Sequence, residues 1–225
     1  MIENLLNFIF PNHCGFCGRK INQRCTCEKC ISILKYYRGV INIPVKKTIY
    51  YDKYIGLFQY KGVLKRKMSN LKFKNDRCVA KSFGEITAMK LLEHNIVADI
   101  IIPVPISKKR LFERGYNQTE YIARYTSKNT NIKMDARLLL KIKDNIRQSG
   151  LSRIERTKNV HGVYEVVETE RILGKSIILM DDIYTTGATL NECARMLKRA
   201  GARSVIAVTI LYGFSGKERS RNSCG

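Results

Sequence analysis

The chain has 225 residues, 44% of them hydrophobic, which is enough for one full α/β domain and a small accessory module. Its 41 Lys and Arg against 19 Asp and Glu give a net charge of +22, which predicts attraction to polyanions, nucleic acid first, unless a lysine-rich coding bias explains the charge. The N-terminus lacks the features of a signal peptide, and no apolar run approaches the roughly 18 residues of a membrane helix, so we expect a cytoplasmic protein without a transmembrane segment.

The N-terminal segment is predicted to be a zinc-binding module over residues 1–45, followed by a second domain over residues 46–225. A short apolar helix over residues 5–10 precedes a cluster of cysteines: Cys14, Cys17, Cys25, Cys27 and Cys30. The pairs Cys14/Cys17 and Cys27/Cys30 have the spacing at which thiolates hold one tetrahedral ion, and Zn²⁺ is the expected metal.

Four protein ligands would close this metal site, so we expect a structural and not a catalytic zinc ion. Cys25 could replace Cys27 as a ligand. His13 is expected to lie beside the site or on the surface.

The next part of the chain is expected to carry a nucleic-acid face. Residues 46–60 predict two short strands with a turn at Asp52-Lys53, and a helix follows, with one apolar face formed by Val63, Leu64, Met68 and Leu71. The candidates for phosphate contacts are basic residues on and after this helix: Lys65, Arg66, Lys67, Lys72 and Lys74. A solvated helix face is the alternative explanation.

A strand and a basic loop are predicted in the middle of the chain. Residues 77–94 predict a helix, in which Ser82-x-x-Glu85 has the form of an internal capping box. Residues 98–104 predict a buried strand, and the basic loop after it contains Arg110 and Arg114 before a helix that starts near Asn117. Cations and free N–H groups there suit a highly charged anion.

Residues 128–162 are the least regular part of the sequence. Leu138 to Leu140 could form a short strand, and Val163 to Val167 another. The polar segment between them, which contains Arg147 and Arg156, is predicted to be either a lid over a ligand or a surface loop.

The segment from Ile177 to Leu190 carries the strongest functional signal. Four apolar residues predict a buried strand, the carboxylates Asp181 and Asp182 follow, and a small-residue loop leads into a helix with Gly201 at its C-cap. A helix N-terminus suits a phosphate, and two adjacent carboxylates suit a vicinal diol or Mg²⁺. A ribose 5-phosphate has both groups, whereas a structural turn is the alternative; a further strand is predicted over Ser204 to Ile210.

The sequence IILMDDIYTTGAT resembles the signature of the type I phosphoribosyltransferases that binds 5-phosphoribosyl 1-pyrophosphate (PRPP). The resemblance implies an α/β fold with a central parallel sheet flanked by helices, and Mg²⁺ bound with PRPP. It implies that Asp181 and Asp182 contact the ribose hydroxyls and that the 5-phosphate is wrapped by Thr185, Thr186, Gly187, Ala188 and Thr189. Arg110 and Arg114 would receive the pyrophosphate, and Arg147 or Arg156 would reach in from the lid.

Four further segments resemble the ComF-type competence proteins: FPNHCGFCG, YKGVLKRKMSNLKFKND, PVPISKKRLFERGYNQTE and RQSGLSRIERTKNVHGVY. The likeness spans roughly residues 8–212, and Cys25 departs from it. This family implies uptake of transforming single-stranded DNA with a helicase-like ATPase at the cytoplasmic face of the inner membrane. Two hypotheses follow: a PRPP-binding protein of DNA uptake, which we favour, and an active phosphoribosyltransferase of nucleotide salvage.

Overall fold

The computed structural model describes residues 13–21, 24–34, 49–143 and 161–213. The predicted helix over residues 5–10 and the candidate arginines Arg147 and Arg156 lie outside these ranges. The boundary between residues 45 and 46 also lies outside them, so the division into two domains stays a prediction.

Five parallel strands form the central sheet, and two shorter strands form a separate antiparallel pair. The strands are β1 (Lys53–Gln59), β2 (Ile100–Pro103), β3 (Lys133–Met134), β4 (Leu139–Lys141), β5 (Tyr164–Val166), β6 (Ser176–Tyr184) and β7 (Ser204–Tyr212). The order in the sheet is β1-β7-β6-β2-β3, and β4 pairs with β5. The predicted parallel sheet is therefore confirmed.

Helices cover both faces of this sheet. They are α1 (Glu28–Leu34), α2 (Gly62–Lys74), α3 (Arg77–Glu93), α4 (Lys108–Arg114), α5 (Gln118–Thr130) and α6 (Ala188–Arg199), with a 3₁₀ turn at Thr169–Arg171. None of the helices in the described ranges is both long and apolar enough to cross a bilayer.

The core forms because side chains alternate across β6. Ile178 and Met180 belong to the cluster that contains the buried residues of α2, α3 and α5, whereas Ile177 and Leu179 belong to the cluster around α6. Each of these side chains is fully buried, which stabilises the fold by about 1.5–3 kcal/mol per residue. The continuous apolar run predicted a strand that is covered on both faces, and the structure confirms it.

The predicted pair of strands in residues 46–60 is wrong. The described part of this segment has one strand, β1, which pairs in parallel with β7. The carboxylate of Asp52 accepts hydrogen bonds from the Val205 amide (2.7 Å) and the Lys198 ammonium (3.0 Å), so Asp52 anchors the start of β1 and is not part of a hairpin turn.

The predicted capping box at Ser82 and Glu85 is also wrong. Helix α3 begins at Arg77, and its N-cap is Asp76, whose carboxylate accepts the amide hydrogen of Val79 at 3.2 Å. Ser82 and Glu85 lie further along the helix, where their side chains contact the N-terminal cysteine segment.

Two elements differ from prediction beside the sheet edge that forms the site. Strand β6 continues through Asp181 and Asp182 to Tyr184, because Ile183 and Tyr184 still pair with Leu211 and Tyr212 of β7. The predicted basic loop after β2 contains the short helix α4, which Ser107 caps through its hydroxyl. Helix α6 ends as predicted, with Gly201 in the left-handed region just after its cap.

Candidate functional site

A cleft of about 250 Å³ opens at the carboxyl ends of β2 and β6. This edge of a parallel sheet is where α/β proteins bind their ligands, because loops and helix N-termini converge there. Asp181 and Asp182 of β6 line the cleft together with the following loop from Thr185 to Thr189. The structure therefore brings together the two parts of the predicted ribose-phosphate site.

Asp182 is held at the centre of a polar network. One of its carboxylate oxygens, Oδ2, lies 2.5 Å from Lys72 Nζ and accepts a hydrogen bond from Gln118 Nε2 at 3.0 Å. Burial alone would raise the pKa of Asp182, but the Lys72 ammonium holds it below its ordinary value. Asp182 is therefore ionised and already neutralised by a cation before any ligand is bound.

Asp181 has the opposite electrostatic character. Burial, together with the neighbouring Asp182 carboxylate, raises the pKa of Asp181. Its Oδ1 accepts the amide hydrogen of Asp182 at 2.8 Å. Two adjacent carboxyl groups with pKa values pushed apart can accept hydrogen bonds from sugar hydroxyls or share a divalent cation.

Gly187 shapes the loop between β6 and α6. Its φ is +75°, and a Cβ atom at this position would lie 2.6 Å from the Tyr184 hydroxyl and 2.9 Å from its ring. Only glycine fits this turn, which starts α6 with no capping side chain at Gly187. The first amide groups of α6 are thus placed at the cleft, where the helix dipole favours an anion.

Four cations from three separate elements line the same cleft: Lys72, Arg110, Arg114 and Lys141. They come from α2, α4 and β4, with two of them on α4. Burial, then repulsion from Arg110, lowers the pKa of Arg114, whose Nη1 donates to Gln118 Oε1 at 3.0 Å. The cleft can therefore hold a polyphosphate beside the two aspartates.

Several cleft residues were not predicted for it. Sequence analysis placed Lys72 on the nucleic-acid face, but its ammonium lies in the cleft against Asp182, because α2 directs it toward β6. Gln118 follows the cap residue Asn117 in the segment RGYNQ, so the motif could have revealed it. Lys141 and Tyr164 belong to the β4–β5 pair, and no local pattern indicates that these strands pack at the cleft.

The remaining candidates for nucleic-acid contact lie outside the cleft on α2. Lys65, Arg66 and Lys74 are exposed, and Lys67 is half-buried. Their helix buries Leu64, Met68 and Leu71 of the predicted apolar face and leaves Val63 half-buried, so these basic side chains occupy its outer surface.

The four predicted metal ligands meet at one point. The sulfur atoms of Cys14, Cys17, Cys27 and Cys30 all lie within 4.8 Å of one another. Cys17 Sγ and Cys27 Sγ are 3.6 Å apart, close to the about 3.8 Å between sulfurs that share a tetrahedral zinc ion with bonds of about 2.3 Å. This cluster could hold Zn²⁺, and within the described residues it includes Cys27 and not Cys25.

The electrostatics of the cluster favour a bound cation. Although burial opposes it, hydrogen bonds from backbone amides, first that of Cys27, lower the pKa of Cys14 to about 7. Burial, then hydrogen bonds with the neighbouring thiols, raises the pKa of Cys30. Four crowded thiolates repel one another unless a metal ion neutralises them.

The cysteine segment is anchored on α3. The amide of Gly15 donates to Ser82 Oγ at 3.1 Å, the Ser82 hydroxyl donates to the Cys25 carbonyl, and the amide of Cys25 donates to Glu85 Oε2 at 3.1 Å. Phe16 packs edge-on against Phe83 with ring centroids 5.3 Å apart. Cys25 thus contributes backbone contacts to the anchor.

Comparison with known proteins finds similarity to one domain family and to several individual proteins. Residues 130–224 match the phosphoribosyl transferase domain family, a range that contains the acidic pair and the loop after it. Competence protein F of Haemophilus influenzae is 26% identical over 198 residues, which cover 85% of this chain and 86% of that protein.

Two further relatives extend the same likeness. Competence protein ComFC of Bacillus subtilis is 26% identical over 200 residues, covering 88% of this chain and 77% of that protein. The DNA utilization protein YhgH of Escherichia coli K12 is 22% identical over 198 residues, which cover 85% of this chain and 86% of that protein.

Proposed function

We propose that this chain, which has a phosphoribosyltransferase-like fold and an N-terminal four-cysteine cluster, is a ComF-type protein that acts in natural competence by binding PRPP and single-stranded DNA. The observation that carries the PRPP part is the cleft itself. In it, Asp181, Asp182 and the start of α6 lie beside cations from α2, α4 and β4.

Each group of PRPP has a chemically matched partner in this cleft. The 5-phosphate would take the amide groups and hydroxyls of the loop from Thr185 to Thr189. The two ribose hydroxyls would donate to Asp181 and Asp182, and the pyrophosphate would lie against Arg110 and Arg114. Mg²⁺ bound with PRPP would supply charge neutralisation, and the carboxylates of Asp181 and Asp182 are oxygen ligands that suit it.

The same arrangement could support phosphoribosyl transfer, the alternative function in nucleotide salvage. A nitrogen nucleophile would form a bond to C1 of the ribose as the bond to pyrophosphate breaks, and pyrophosphate would leave with the electron pair. Arg110 and Arg114 would offset the charge that develops on it. The reaction would need no nucleophilic side chain from the protein, because the acceptor supplies the nitrogen.

Calorimetric titration of PRPP, with and without Mg²⁺, tests the cleft. We expect saturable binding to the unaltered protein and a loss of affinity of at least about tenfold in Asp182→Asn, because the substitution removes the carboxylate charge and replaces one acceptor oxygen with a donor. Asp99→Asn is the matched control, since Asp99 accepts the Ser176 amide at 2.7 Å at the other end of β6. Absence of PRPP binding to the unaltered protein would contradict the proposal.

The net charge of +22 and the exposed cations of α2 support the DNA part of the proposal. Binding of an oligothymidylate of about 20 nucleotides is expected to weaken steeply between about 50 and 200 mM salt, because phosphate contacts release counterions. An affinity independent of salt would contradict it. The ComF resemblance adds a helicase-like ATPase as partner at the cytoplasmic face of the membrane, which co-purification from competent cells tests.

A further inference from the structure

The C-terminal end of α2 exposes an aromatic ring with a guanidinium group against it. Phe73 is 74% exposed, whereas Leu64, Met68 and Leu71 of the same helix are fully buried. The Arg114 guanidinium carbon lies 5.4 Å from the centroid of the Phe73 ring. An exposed aromatic ring beside a cation is typical of sites that stack a planar ligand.

The surroundings of Phe73 repeat this alternation of rings and cations. Arg77, at the start of α3, places its guanidinium carbon 5.5 Å from the ring centroid of Tyr121. Tyr121 in turn stacks on Tyr116, with centroids 5.2 Å apart and planes 7° from parallel. Lys74 and Arg77 are exposed.

The geometry of this surface is held by hydrogen bonds between elements. The Tyr116 hydroxyl donates to the Leu71 carbonyl and accepts the amide hydrogen of Asn75 at 3.1 Å. Asn75 is the left-handed cap that ends α2. These contacts tie the end of α2 to the start of α5, so Phe73 and Arg77 are presented from fixed backbone positions.

We propose that Phe73, Lys74, Arg77 and Arg114, here called the Phe73 rim, form a base-stacking site for single-stranded nucleic acid. A base would stack on the Phe73 ring, while Lys74 and Arg77 would contact the adjacent backbone phosphates. A duplex presents no base faces to such a ring, and a rim of three cations disfavours a cationic or apolar partner. The inference deepens the proposed function and rests on its DNA-binding part.

The rim also borders the ribose-phosphate cleft. Arg114 contacts Phe73 on the rim and lines the cleft, and Lys72, the residue before Phe73, pairs with Asp182. A strand bound at the rim would therefore pass the mouth of the cleft.

Tryptophan fluorescence gives a direct measure of stacking, because the chain contains no Trp. In Phe73→Trp we expect saturable quenching of the single tryptophan by oligothymidylate and no quenching by an abasic strand of equal length, since only a base can stack. Val97→Trp is the matched control: Val97 is 83% exposed and precedes β2 at the opposite end of the sheet. Equal quenching in both variants, or none in Phe73→Trp while DNA binds, would overturn the rim assignment.

Affinity measurements separate the ring from the cations. Phe73→Ala is expected to weaken oligothymidylate binding about 5- to 100-fold, to leave abasic-strand binding unchanged and to keep the salt dependence. Lys74→Ala should weaken the binding of both oligothymidylate and the abasic strand, and it should reduce the slope of log K against log salt by about one. If Phe73→Ala binds both strands as tightly as the unaltered protein does, the stacking site at the Phe73 rim is contradicted but the proposed DNA binding is not. If the unaltered protein binds neither oligothymidylate nor the abasic strand, both proposals fail.

Discussion

The cysteine cluster and the cleft both depend on ionisable side chains, but they are assembled in different ways. The four thiols come from two short segments and converge on one point, where backbone amides also donate to sulfur. In the cleft, two adjacent acids meet cations that are distant in sequence, such as Lys72. The cluster is closed on itself and the cleft is open to a ligand, so we expect changes in the first to cost stability and changes in the second to cost binding.

The largest expected effect is the loss of the metal from the cluster. Cys27→Ser should abolish stoichiometric zinc binding and lower the free energy of unfolding by at least about 4 kcal/mol, because metal binding is coupled to folding of the segment. Zinc content and thermal unfolding measure this. Cys25→Ser is the control, since its sulfur lies outside the cluster. If Cys25→Ser loses the metal as Cys27→Ser does, the ligand assignment is wrong.

Two glycine substitutions sharpen the contrast between the regions. In Gly15→Ala the new Cβ would lie 2.5 Å from the Cys78 carbonyl oxygen, so we expect a loss of about 1–3 kcal/mol in unfolding free energy. In Gly187→Ala the clash with Tyr184 falls in the loop that we propose binds the 5-phosphate, so PRPP binding should be lost with the fold retained. Chemical denaturation and calorimetry measure the two effects.

The control for these substitutions is Gly174→Ala. Gly174 shares the positive φ of Gly187, at +71°, but has no atom within 4 Å of its potential Cβ. It should lose a little stability through backbone strain and keep PRPP binding. A loss of PRPP binding in this variant would show that strain alone accounts for the Gly187 effect.

The anchor of the cysteine segment on α3 is the next test. Ser82→Ala removes the hydroxyl that accepts the Gly15 amide hydrogen and donates to the Cys25 carbonyl. These two backbone groups then keep only their mutual hydrogen bond of 3.2 Å, so we expect a cost of about 1–2 kcal/mol. Thr87→Val on the same helix is the control, because the Thr87 hydroxyl bonds only to the Phe83 carbonyl within α3 among its described contacts. Equal losses in denaturant unfolding would show that Ser82 has no special role.

The last prediction concerns Asp135, which belongs neither to the cysteine cluster nor to the cleft. Although burial opposes it, Arg137 and Arg171 lower the pKa of Asp135 to about 2. The folded state therefore holds this proton less tightly than the unfolded chain, so the stabilisation is present above about pH 4 and is lost as the pH falls toward 2.

Asp135→Asn should have a lower free energy of unfolding than the unaltered protein above about pH 4. This difference should shrink by about 1–2 kcal/mol as the pH falls toward 2. Acid release of a metal ion from the cysteine cluster affects both proteins and cancels in the difference. Denaturant unfolding of both proteins at several pH values measures this difference in unfolding free energy. A deficit independent of pH would contradict the ion pairing of Asp135.

The comparison also shows which features could be predicted from sequence. The acidic pair with its loop and the paired cysteines are contiguous motifs, so their chemistry could be inferred before the fold was known. The pairing of Lys72 with Asp182 spans more than a hundred residues and follows from how α2 packs on β6. Ser82 and Glu85 matched a capping pattern locally, but Asp76 caps α3 and tertiary contacts engage both side chains.

The bonds around Gln118 have a thermodynamic consequence for two ligands. Its amide nitrogen donates to Asp182 in the cleft, and its amide oxygen accepts from Arg114, whose guanidinium covers Phe73 on the rim. If a bound sugar phosphate rearranges these hydrogen bonds, it changes the affinity of the protein for DNA by some factor. Bound DNA must then change the affinity for the sugar phosphate by the same factor. The two ligands would then report on each other through one amide side chain, with a single coupling free energy.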